Sequence, residues 1–513
     1  STVIVGKDAS ATGNILVGHN EDNGGRILTA QHWVPAATHK AGEMIKFEEA
    51  AASIPQVEKT FGFFWSQTFD PTGASFSDGF VNENGVTIVT NACTGIYKDD
   101  IMPTKDGGIG YGIRRLLAER AKSARDAVDI AIDLVTKYGY ITGGRTYTVA
   151  DHNEAWQIML LKGHRYIARK VQNDEVTYIA NAFAFDKVDV NSKDVIMSPD
   201  LIEHAIKTGH YKPAKAGDYS DFSFRKAYQP IERRSADWNK DRAQTAWEML
   251  MGKETMDQEA FPYSVKPTKK LTVSDVQKIV SGHWKREART SGFFHQSMRD
   301  ICNVGTFESV VYEMNPEPLL TRGWRTSARP CQTPYVPFFP LAKPAEAQSF
   351  MTPEVATAEH FHATPDRFDF KADFGLYTAL KTQNLVDYLD DGARADLRKV
   401  IDAQQAKWLA EGDSVLKTAQ YLEKNVSQDK AKAYLHQYAA EAYNVSIALL
   451  EDAFQNMKPL KIEILADTLS LSKKDKVDVV VFGEKGLDLS KAKKESFVFG
   501  ITYPDPVSYT HLR

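Results

Sequence analysis

Apolar and polar residues alternate in short blocks at the start of the chain, in a pattern that predicts a β-hairpin. The run TVIV (2–5) is rich in β-branched residues and predicts a strand from almost the first position. The segment KDASATG (7–13) has the composition of a turn, and NILVG (14–18) predicts a second strand. A turn centred near Ser10 places position 1 roughly opposite position 19. Ser1 is therefore expected beside the residues that follow the second strand, which are His19, Asn20, Glu21 and Asp22.

The rest of the chain shows strand patterns first and long helical patterns later. The segment 81–95 has an Asn84-Gly85 turn before an apolar run, which predicts another hairpin. Apolar residues recur at helical spacing over 110–138 and again over most of 372–457. Further strand patterns occupy 145–171, 176–183, 309–314 and part of the region after 458. Because strands and helices do not alternate regularly, the pattern favours an α+β fold with antiparallel sheets.

Composition and charge exclude several classes of protein. The chain has 513 residues, with 42% hydrophobic and 25% charged residues, which is ordinary for a globular protein. Its net charge of −4 and its lack of a basic run argue against a nucleic-acid partner. No stretch approaches the roughly 18 apolar residues of a membrane-spanning helix, so no membrane span is expected.

Cysteine and histidine spacing predicts no metal site. The three cysteines, Cys93, Cys302 and Cys331, are far apart and show neither a disulfide framework nor a zinc spacing. His360 and His362 form an H-x-H pair, but the sequence offers no evident third ligand. We therefore expect no metal ligands and no cofactor.

Ser1 is the candidate nucleophile. A terminal α-amine has a pKa of about 7.7–8, close to what a general base needs at neutral pH. A serine hydroxyl with an adjacent amine as its base is a recognised arrangement for acyl transfer. A carboxylate such as Asp22 would hold the amine and tune its charge. This interpretation treats the chain as a mature form whose leader has been removed; the alternative is a trimmed chain with an ordinary exposed terminus.

Several motifs occur in an order that resembles a known family. They are STVIVG, GHNEDN, VNENGV, GIGYGIRRLLAERAKSARDAVDIA, ADHNEAWQI, YIANAF and ARPCQTPYVPFF, spread over about residues 1–460. In this order they resemble the C69-type dipeptidases, which are N-terminal nucleophile hydrolases related to penicillin V acylase and bile salt hydrolase. The resemblance implies a four-layer αββα sandwich of antiparallel sheets, with an added C-terminal helical region and a short β tail.

The resemblance also implies roles for individual residues. The family's nucleophile is its first mature residue, which matches Ser1, and its acidic partner of the amine matches Asp22. Its oxyanion-stabilising positions match Asn91 and Asn181. The alternative for each asparagine is a strand-end residue that caps the backbone. The predicted catalytic residues are therefore Ser1, Asp22, Asn91 and Asn181.

Two departures from the family pattern affect the predicted site. The family normally has cysteine at position 1, so Ser1 is either a working serine nucleophile or a replacement that traps an inactive form. The family's usual arginine before N-E-D is His19 here, which titrates near neutral pH where arginine would not. The candidate substrate-binding residues are His19, Asn20 and Glu21.

The implied activity is hydrolysis of dipeptides through an acyl-enzyme, so small peptides are the expected partners. Two alternatives stay open: an N-acyl amide hydrolase of the penicillin V acylase or bile salt hydrolase type, and a catalytically silent scaffold. A bacterial extracytoplasmic location is expected because a processed leader is the simplest route to a mature Ser1. A cytoplasmic location and a homo-oligomer are both left open.

The expected domain division follows the composition of the chain. Residues 1–346 are predicted to form the catalytic domain, and 347–457 a linker and helical region packed on it. Residues 458–506 are predicted to form a small β segment. The last residues, VSYTHLR (507–513), differ in composition from the preceding strand and are interpreted as a non-native tail.

Overall fold

The structure is a computed structural model. It describes residues 1–23, 27–47, 51–70, 79–252, 257–284, 294–295, 298–344, 352–368, 374–389, 391–457, 460–464, 479–483, 498–499 and 510–511.

The bounds of the elements are as follows, in chain order. Strands β1 to β23 are Thr2–Val5, Leu16–Asp22, Leu28–Val34, Ala37–Thr38, Met44–Ile45, Ile54–Pro55, Lys59–Thr60, Phe63–Phe69, Gly79–Asn82, Thr87–Ala92, Arg145–Ala150, Ala155–Leu160, Tyr166–Val171, Val176–Ile179, Val195–Met197, Ser264–Val265, Thr306–Glu313, Arg322–Ser327, Val336–Phe338, Leu460–Ile464, Val479–Gly483, Val498–Phe499 and Thr510–His511. Helices α1 to α11 are Ile113–Arg120, Ala124–Tyr138, Leu201–Lys207, Phe224–Tyr228, Ile231–Ser235, Asp237–Met251, Val273–Val280, Pro353–Ala358, Gly375–Tyr388, Asp391–Asn425 and Gln428–Met457.

Two large antiparallel sheets form the centre of the molecule. The first has seven strands in the order β16-β14-β1-β2-β17-β18-β19. The second has eight strands in the order β15-β13-β12-β11-β10-β9-β8-β3. Strand β1 therefore lies between β2, its neighbour in the chain, and β14, which comes more than 170 residues later.

The sheets are stacked between helical layers, which confirms the predicted αββα arrangement. Residues such as Ile4 and Val17 of the first sheet share one buried core with Phe64 and Val89 of the second. On the outer face of the second sheet, α1 and α2 pack against β9 to β12. On the outer face of the first sheet, α6 packs against β14, and α7 packs against β1, β2 and β17.

The first hairpin is confirmed, but its register differs by one residue from the prediction that position 1 lies opposite position 19. Thr2 lies opposite His19, and the Asn20 backbone N–H donates to the Ser1 carbonyl at 2.9 Å. Ser1 is thus opposite Asn20. Gly13 in the connecting turn has a φ of +74°, a left-handed conformation that a glycine adopts without steric cost.

The helical pattern over 110–138 forms two helices instead of one. The chain leaves α1 at Ala121 in an extended conformation, and Ser123 caps α2 by accepting a hydrogen bond from the Asp126 backbone N–H at 3.1 Å. Gly139, with φ +82°, ends α2. The apolar spacing is nearly continuous across the break because both helices cover the same sheet.

The helices after residue 374 pack on the first sheet. Trp408 of α10 and Tyr443 of α11 lie in the same buried core as Trp324 of β18 and Val336 of β19. The division at residue 346 and the boundaries beyond it stay predictions. Beyond α11, β20 pairs with β21 and β22 pairs with β23.

Of the non-native tail interpreted at 507–513, only Thr510 and His511 are described, and the rest lies outside the described residues. Among the residues that the structure describes, no helix combines the length and apolar character needed to cross a membrane.

Candidate active site

Ser1 is buried at the end of the first hairpin. It is 3% exposed, and its α-amino nitrogen donates to the backbone carbonyl of Asn20 at 3.2 Å. The Asn20 backbone N–H in turn donates to the Ser1 carbonyl. Two hydrogen bonds therefore join the start of β1 to β2 at Asn20. The β-branched residues of β1 place this terminus inside the protein, and its amine and hydroxyl therefore lie in a desolvated site.

The Ser1 hydroxyl contacts Tyr178, a residue for which the sequence predicted no role in the site. Tyr178 lies on β14, which pairs with β1, and its hydroxyl donates to Ser1 Oγ at 3.1 Å. Burial raises the pKa of Tyr178 to about 12, so the phenol keeps its proton near neutral pH. Tyr178 is therefore a fixed hydrogen-bond donor to the candidate nucleophile.

The electrostatic surroundings of Ser1 favour a neutral amine. Burial lowers the pKa of the Ser1 α-amino group from its usual value of 8.0. The negative charges of Asp22 and Glu21 oppose this change, and the positive charge of Arg242 adds to it. Because the net direction is downward, a larger fraction of this amine is neutral near pH 7 than of an ordinary exposed terminus, and the neutral form is the one that acts as a general base.

Asp22 ends β2 close to this amine, and its carboxylate has two hydrogen-bond partners among the described residues. Its Oδ1 accepts from Thr306 Oγ1 at 2.5 Å, and its Oδ2 accepts from Arg242 Nη1 at 3.4 Å. The hydrogen bond of the Ser1 amine goes to the Asn20 carbonyl, and Asp22 acts on the amine through its charge.

Arg242 links two of the predicted catalytic residues. It lies on α6, is 1% exposed, and donates through Nη1 to Asp22 and through Nη2 to Asn181 Oδ1 at 3.0 Å. The sequence does not reveal this role, because Arg242 is 220 residues from Asp22, on a helix where an arginine is ordinarily solvated.

Asn91 is the second-last residue of β10, and Asn181 lies two residues after the end of β14. Asn91 Nδ2 donates to the Ala180 carbonyl at 3.0 Å, and Asn181 Nδ2 donates to the Ala92 carbonyl at 3.1 Å. These reciprocal bonds match the strand-end alternative considered for both residues. Each amide nitrogen carries two hydrogens, so, among the residues that the structure describes, one hydrogen per side chain is left for another acceptor.

Thr2 connects His19 to Asn91 between the sheets. Thr2 Oγ1 donates to Asn91 Oδ1 at 2.5 Å and lies 2.7 Å from His19 Nδ1. A neutral imidazole carries one ring hydrogen, so His19 donates to either Thr2 Oγ1 or Glu21 Oε1 but not to both. Burial and the Ser1 amine lower the pKa of His19 to about 3, so the imidazole is neutral near pH 7, and its Nε2 lies 2.7 Å from Glu21 Oε1.

The predicted substrate-binding residues are buried and engaged with the protein. The Asn20 side chain donates to the Val280 carbonyl at 2.7 Å and to the Ile301 carbonyl at 3.1 Å, which uses both hydrogens of its amide. His19 and Glu21 contact each other as described. A direct contact of these three side chains with substrate stays a prediction, whereas their anchoring of β2 is observed.

A small cavity adjoins Tyr178. Its volume is 50 Å³, and its lining includes Ala180, Asn239 and Trp247. Pockets for small ligands usually enclose about 300–1,000 Å³, so this cavity by itself does not hold a dipeptide.

Comparisons with known proteins place the chain in a family. The sequence model of peptidase family C69 matches residues 1–301. A "Probable dipeptidase" of Latilactobacillus sakei is 26% identical over 399 residues, covering 74% of this chain and 80% of the relative. A "Probable dipeptidase" of Salmonella dublin is 26% identical over 334 residues, covering 62% of this chain and 74% of the relative.

The solved structure of penicillin V acylase from Agrobacterium tumefaciens matches 66% of this chain and 84% of its own, with 11% identity and a TM-score of 0.33. The match over residues 1–301 confirms the resemblance found in the motifs, and the chain belongs to peptidase family C69.

Proposed function

We propose that this protein hydrolyses the peptide bond of dipeptides with Ser1 as an N-terminal nucleophile. The observation that carries the proposal is the burial of the Ser1 hydroxyl and α-amine together, with Tyr178 on the oxygen and Asn20 on the nitrogen. Two relatives that the chain matches over most of their length are named dipeptidases, and this supports the choice of substrate.

In the first step, Ser1 Oγ attacks the carbonyl carbon of the peptide bond and its proton passes to the neutral Ser1 amine. The lowered pKa of that amine supports this role, because a base that is already protonated cannot accept the proton. The resulting ammonium then gives the proton to the leaving nitrogen as the C–N bond breaks. A free amino acid departs, and an ester of Ser1 remains.

Amide hydrogens near the strand ends would stabilise the tetrahedral intermediate. The second hydrogens of Asn91 Nδ2 and Asn181 Nδ2 are the proposed donors to its oxyanion. Their bonds to Ala180 and Ala92 hold both amides in fixed orientations before the reaction, which is the condition under which such donors are most effective.

Hydrolysis of the ester completes the cycle. The Ser1 amine takes a proton from a water molecule as the water oxygen attacks the acyl carbon. The same proton returns to Ser1 Oγ when the ester bond breaks, and the second amino acid is released. The amine is free and neutral again at the end of the cycle, so the enzyme is ready for another substrate.

The experiment is release of free amino acids from a panel of unblocked dipeptides, with Ser1 as the first residue of the enzyme and its identity verified by intact mass. We expect turnover by the unchanged chain and a loss of at least about 10³-fold in Ser1→Ala. A form with one extra residue before Ser1 is the matched control, because it keeps the hydroxyl and converts the amine into an amide.

Four results would contradict the proposal. Full activity in Ser1→Ala would exclude Ser1 as nucleophile, and full activity in the extended form would exclude its amine as base. Activity in Ser1→Cys alone would mean that the chain with serine is an inactive form. Hydrolysis of N-acyl amides without any hydrolysis of dipeptides would favour the acylase alternative instead.

The finer location and the assembly of the protein stay predictions. An extracytoplasmic location is tested by fractionation of the producing cells. A homo-oligomer is tested by light scattering on the purified enzyme.

A further inference from the structure

Four side chains with metal-binding atoms, none of them assigned to catalysis, converge near the end of α7 and the ends of β17 and β18. They are His283, His295, Cys302 and Cys331, and their ligand atoms all lie within 4.8 Å of one another. His283 follows α7, Cys302 precedes β17, and Cys331 follows β18. Three separate segments of the core therefore meet at this point.

The distances in this cluster resemble those around a tetrahedral ion. His295 Nε2 lies 3.2 Å from His283 Nε2, 3.7 Å from Cys302 Sγ and 3.2 Å from Cys331 Sγ. Zinc bonds to nitrogen and sulfur at tetrahedral angles imply separations of about 3.3 Å between two nitrogens and about 3.6 Å between nitrogen and sulfur. All three observed distances lie within a few tenths of an ångström of these values.

Hydrogen bonding alone does not account for the cluster. One imidazole nitrogen offers either one hydrogen or one lone pair. His295 Nε2 nevertheless faces three ligand atoms at once. A single cation at the centre of the four atoms would satisfy all of them together.

We propose that His283, His295, Cys302 and Cys331 bind one Zn²⁺ ion in a structural site. Two thiolates and two imidazoles in tetrahedral arrangement are a donor set that selects zinc among the common divalent ions. Four protein ligands leave no open position for water or substrate, which distinguishes structural zinc sites from catalytic ones. The site is thus separate from the chemistry proposed for Ser1.

The residues around His295 support a metal-binding role for its Nε2. The Nδ1 of His295 lies 2.9 Å from both carboxylate oxygens of Asp387, and both residues are fully buried. Metal-bound histidines commonly donate their other ring N–H to a carboxylate, which fixes the tautomer and the ring orientation. Asp387 also accepts from Arg329 Nη1 at 2.6 Å and from Gln332 Nε2, and these two residues flank Cys331 in the chain.

An ion could reach the cluster from outside. His283 and Cys331 are half-buried, whereas His295 and Cys302 are buried. His283 and Cys331 line an open cleft of 620 Å³, together with residues such as Tyr335 and Arg398. A metal site needs such an entry path.

The zinc site would brace the strand that holds Ser1. The Cys302 backbone N–H donates to the Gly282 carbonyl at 3.0 Å, so the segments before and after the cluster are already adjacent. The Asn20 side chain bonds to the carbonyls of Val280 and Ile301, which precede two of the ligands by three residues and by one residue. Because the Asn20 carbonyl accepts from the Ser1 amine, an ion that fixes these segments also fixes the amine.

The test is the metal content of untagged enzyme purified with a reductant and without chelators, measured by plasma mass spectrometry for all first-row metals. We expect about one zinc per chain. Replacement of zinc by Co²⁺ is expected to give the visible absorption of a tetrahedral site together with a thiolate charge-transfer band. Neither measurement requires a variant, so both remain valid if the variants fold poorly.

Variants then locate the ion. Cys302→Ser and Cys331→Ser are each expected to lose the stoichiometric zinc and the charge-transfer band. Cys93→Ser is the matched control, because Cys93 is also a buried free cysteine but contacts Thr146 outside the cluster. Absence of stoichiometric zinc in the unchanged enzyme, another metal in its place, a Cys302–Cys331 disulfide without metal, or full zinc binding by both cluster variants would overturn the proposal.

Discussion

Replacing Thr2 with valine tests whether the contact between the two sheets positions Asn91. Valine has nearly the same shape as threonine but lacks the hydroxyl. Thr2→Val therefore removes the 2.5 Å bond to Asn91 Oδ1 and the 2.7 Å contact with His19 Nδ1, while the packing between the sheets is kept. Thr2 is fully buried, so water does not readily replace the lost group.

The expected loss of stability follows from the groups that lose a partner. A buried polar group without its hydrogen bond costs about 1–3 kcal/mol, so two such groups cost about 2–6 kcal/mol, and the lower part of this range applies because each group keeps one other partner. Asn91 keeps its bond to the Ala180 carbonyl, and His19 keeps its contact with Glu21. We therefore expect a folded enzyme with a clearly lower Tm.

The effect on catalysis should appear mainly in kcat. If the Asn91 amide stabilises the oxyanion, it contributes about 10²–10³-fold to kcat. Without the bond from Thr2 the amide is held less firmly, so part of this contribution is lost. We expect Thr2→Val to lower kcat by about 10-fold to 10²-fold and to change KM little, since the substrate ground state does not carry the oxyanion. Steady-state kinetics on the preferred dipeptide and a thermal unfolding scan measure both effects.

Thr177→Val is the matched control for this substitution. Thr177 lies on β14 opposite Ile4, is equally buried, and its Oγ1 has no hydrogen-bond partner in the part of the chain that the structure describes. Removing an unpaired buried hydroxyl is expected to be neutral or stabilising. The reasoning would be refuted if Thr2→Val kept the kcat and Tm of the unchanged enzyme, or if Thr177→Val lost as much of either.

Three further predictions concern the groups around Ser1. The kcat/KM profile should fall on the acid side as the Ser1 amine becomes protonated, at a pH below 8.0, and Arg242→Gln should move this limb to higher pH because a cation that disfavours the ammonium form is removed. Tyr178→Phe should lower kcat by about 10-fold, since it removes one hydrogen bond worth about 1 kcal/mol or slightly more from Ser1 Oγ, and steady-state kinetics measure this loss. Asn181→Ala should lower kcat by about 10²–10³-fold, measured in the same assay, because it removes a proposed oxyanion donor.

Each of these predictions has a contradicting result. An acid limb that stays in place in Arg242→Gln would mean that the guanidinium does not affect the amine. An unchanged kcat in Tyr178→Phe would mean that the phenol does not hold the nucleophile. A stability loss without a kcat loss in Asn181→Ala would support the strand-end role alone.

Local features of the fold could be predicted from the sequence because they depend on neighbouring residues. The β-branched run at 2–5 and the turn before residue 14 are enough to indicate the first hairpin, and Asn84-Gly85 is enough to indicate another. The break between α1 and α2 was harder to predict, because apolar spacing continues across it and only Ser123 marks the new cap.

The residues that complete the site depend on topology, which local patterns do not contain. Tyr178 is in a predicted strand, but only the pairing of β14 with β1 places it on Ser1. Arg242 reaches the site from a helix on the outer face of the sheet. Neither residue has a neighbour in the chain that reveals its role.

The histidine and cysteine cluster illustrates the same limit for metal sites. Sequence spacing argued against a zinc site, since its ligands do not follow a compact motif. His295 is 12 residues from His283, 7 from Cys302 and 36 from Cys331, and the fold brings all four together.

The most direct test of the account is to find the acyl group on Ser1. Enzyme mixed with an activated amino-acid ester, whose acyl group is the one that a dipeptide would leave on Ser1, is quenched during turnover, and intact and tandem mass spectrometry locate any added acyl mass. The account predicts a transient ester on Ser1 Oγ that is absent in Ser1→Ala. An acyl group on another residue, or dipeptide hydrolysis that persists in Ser1→Ala, would contradict it.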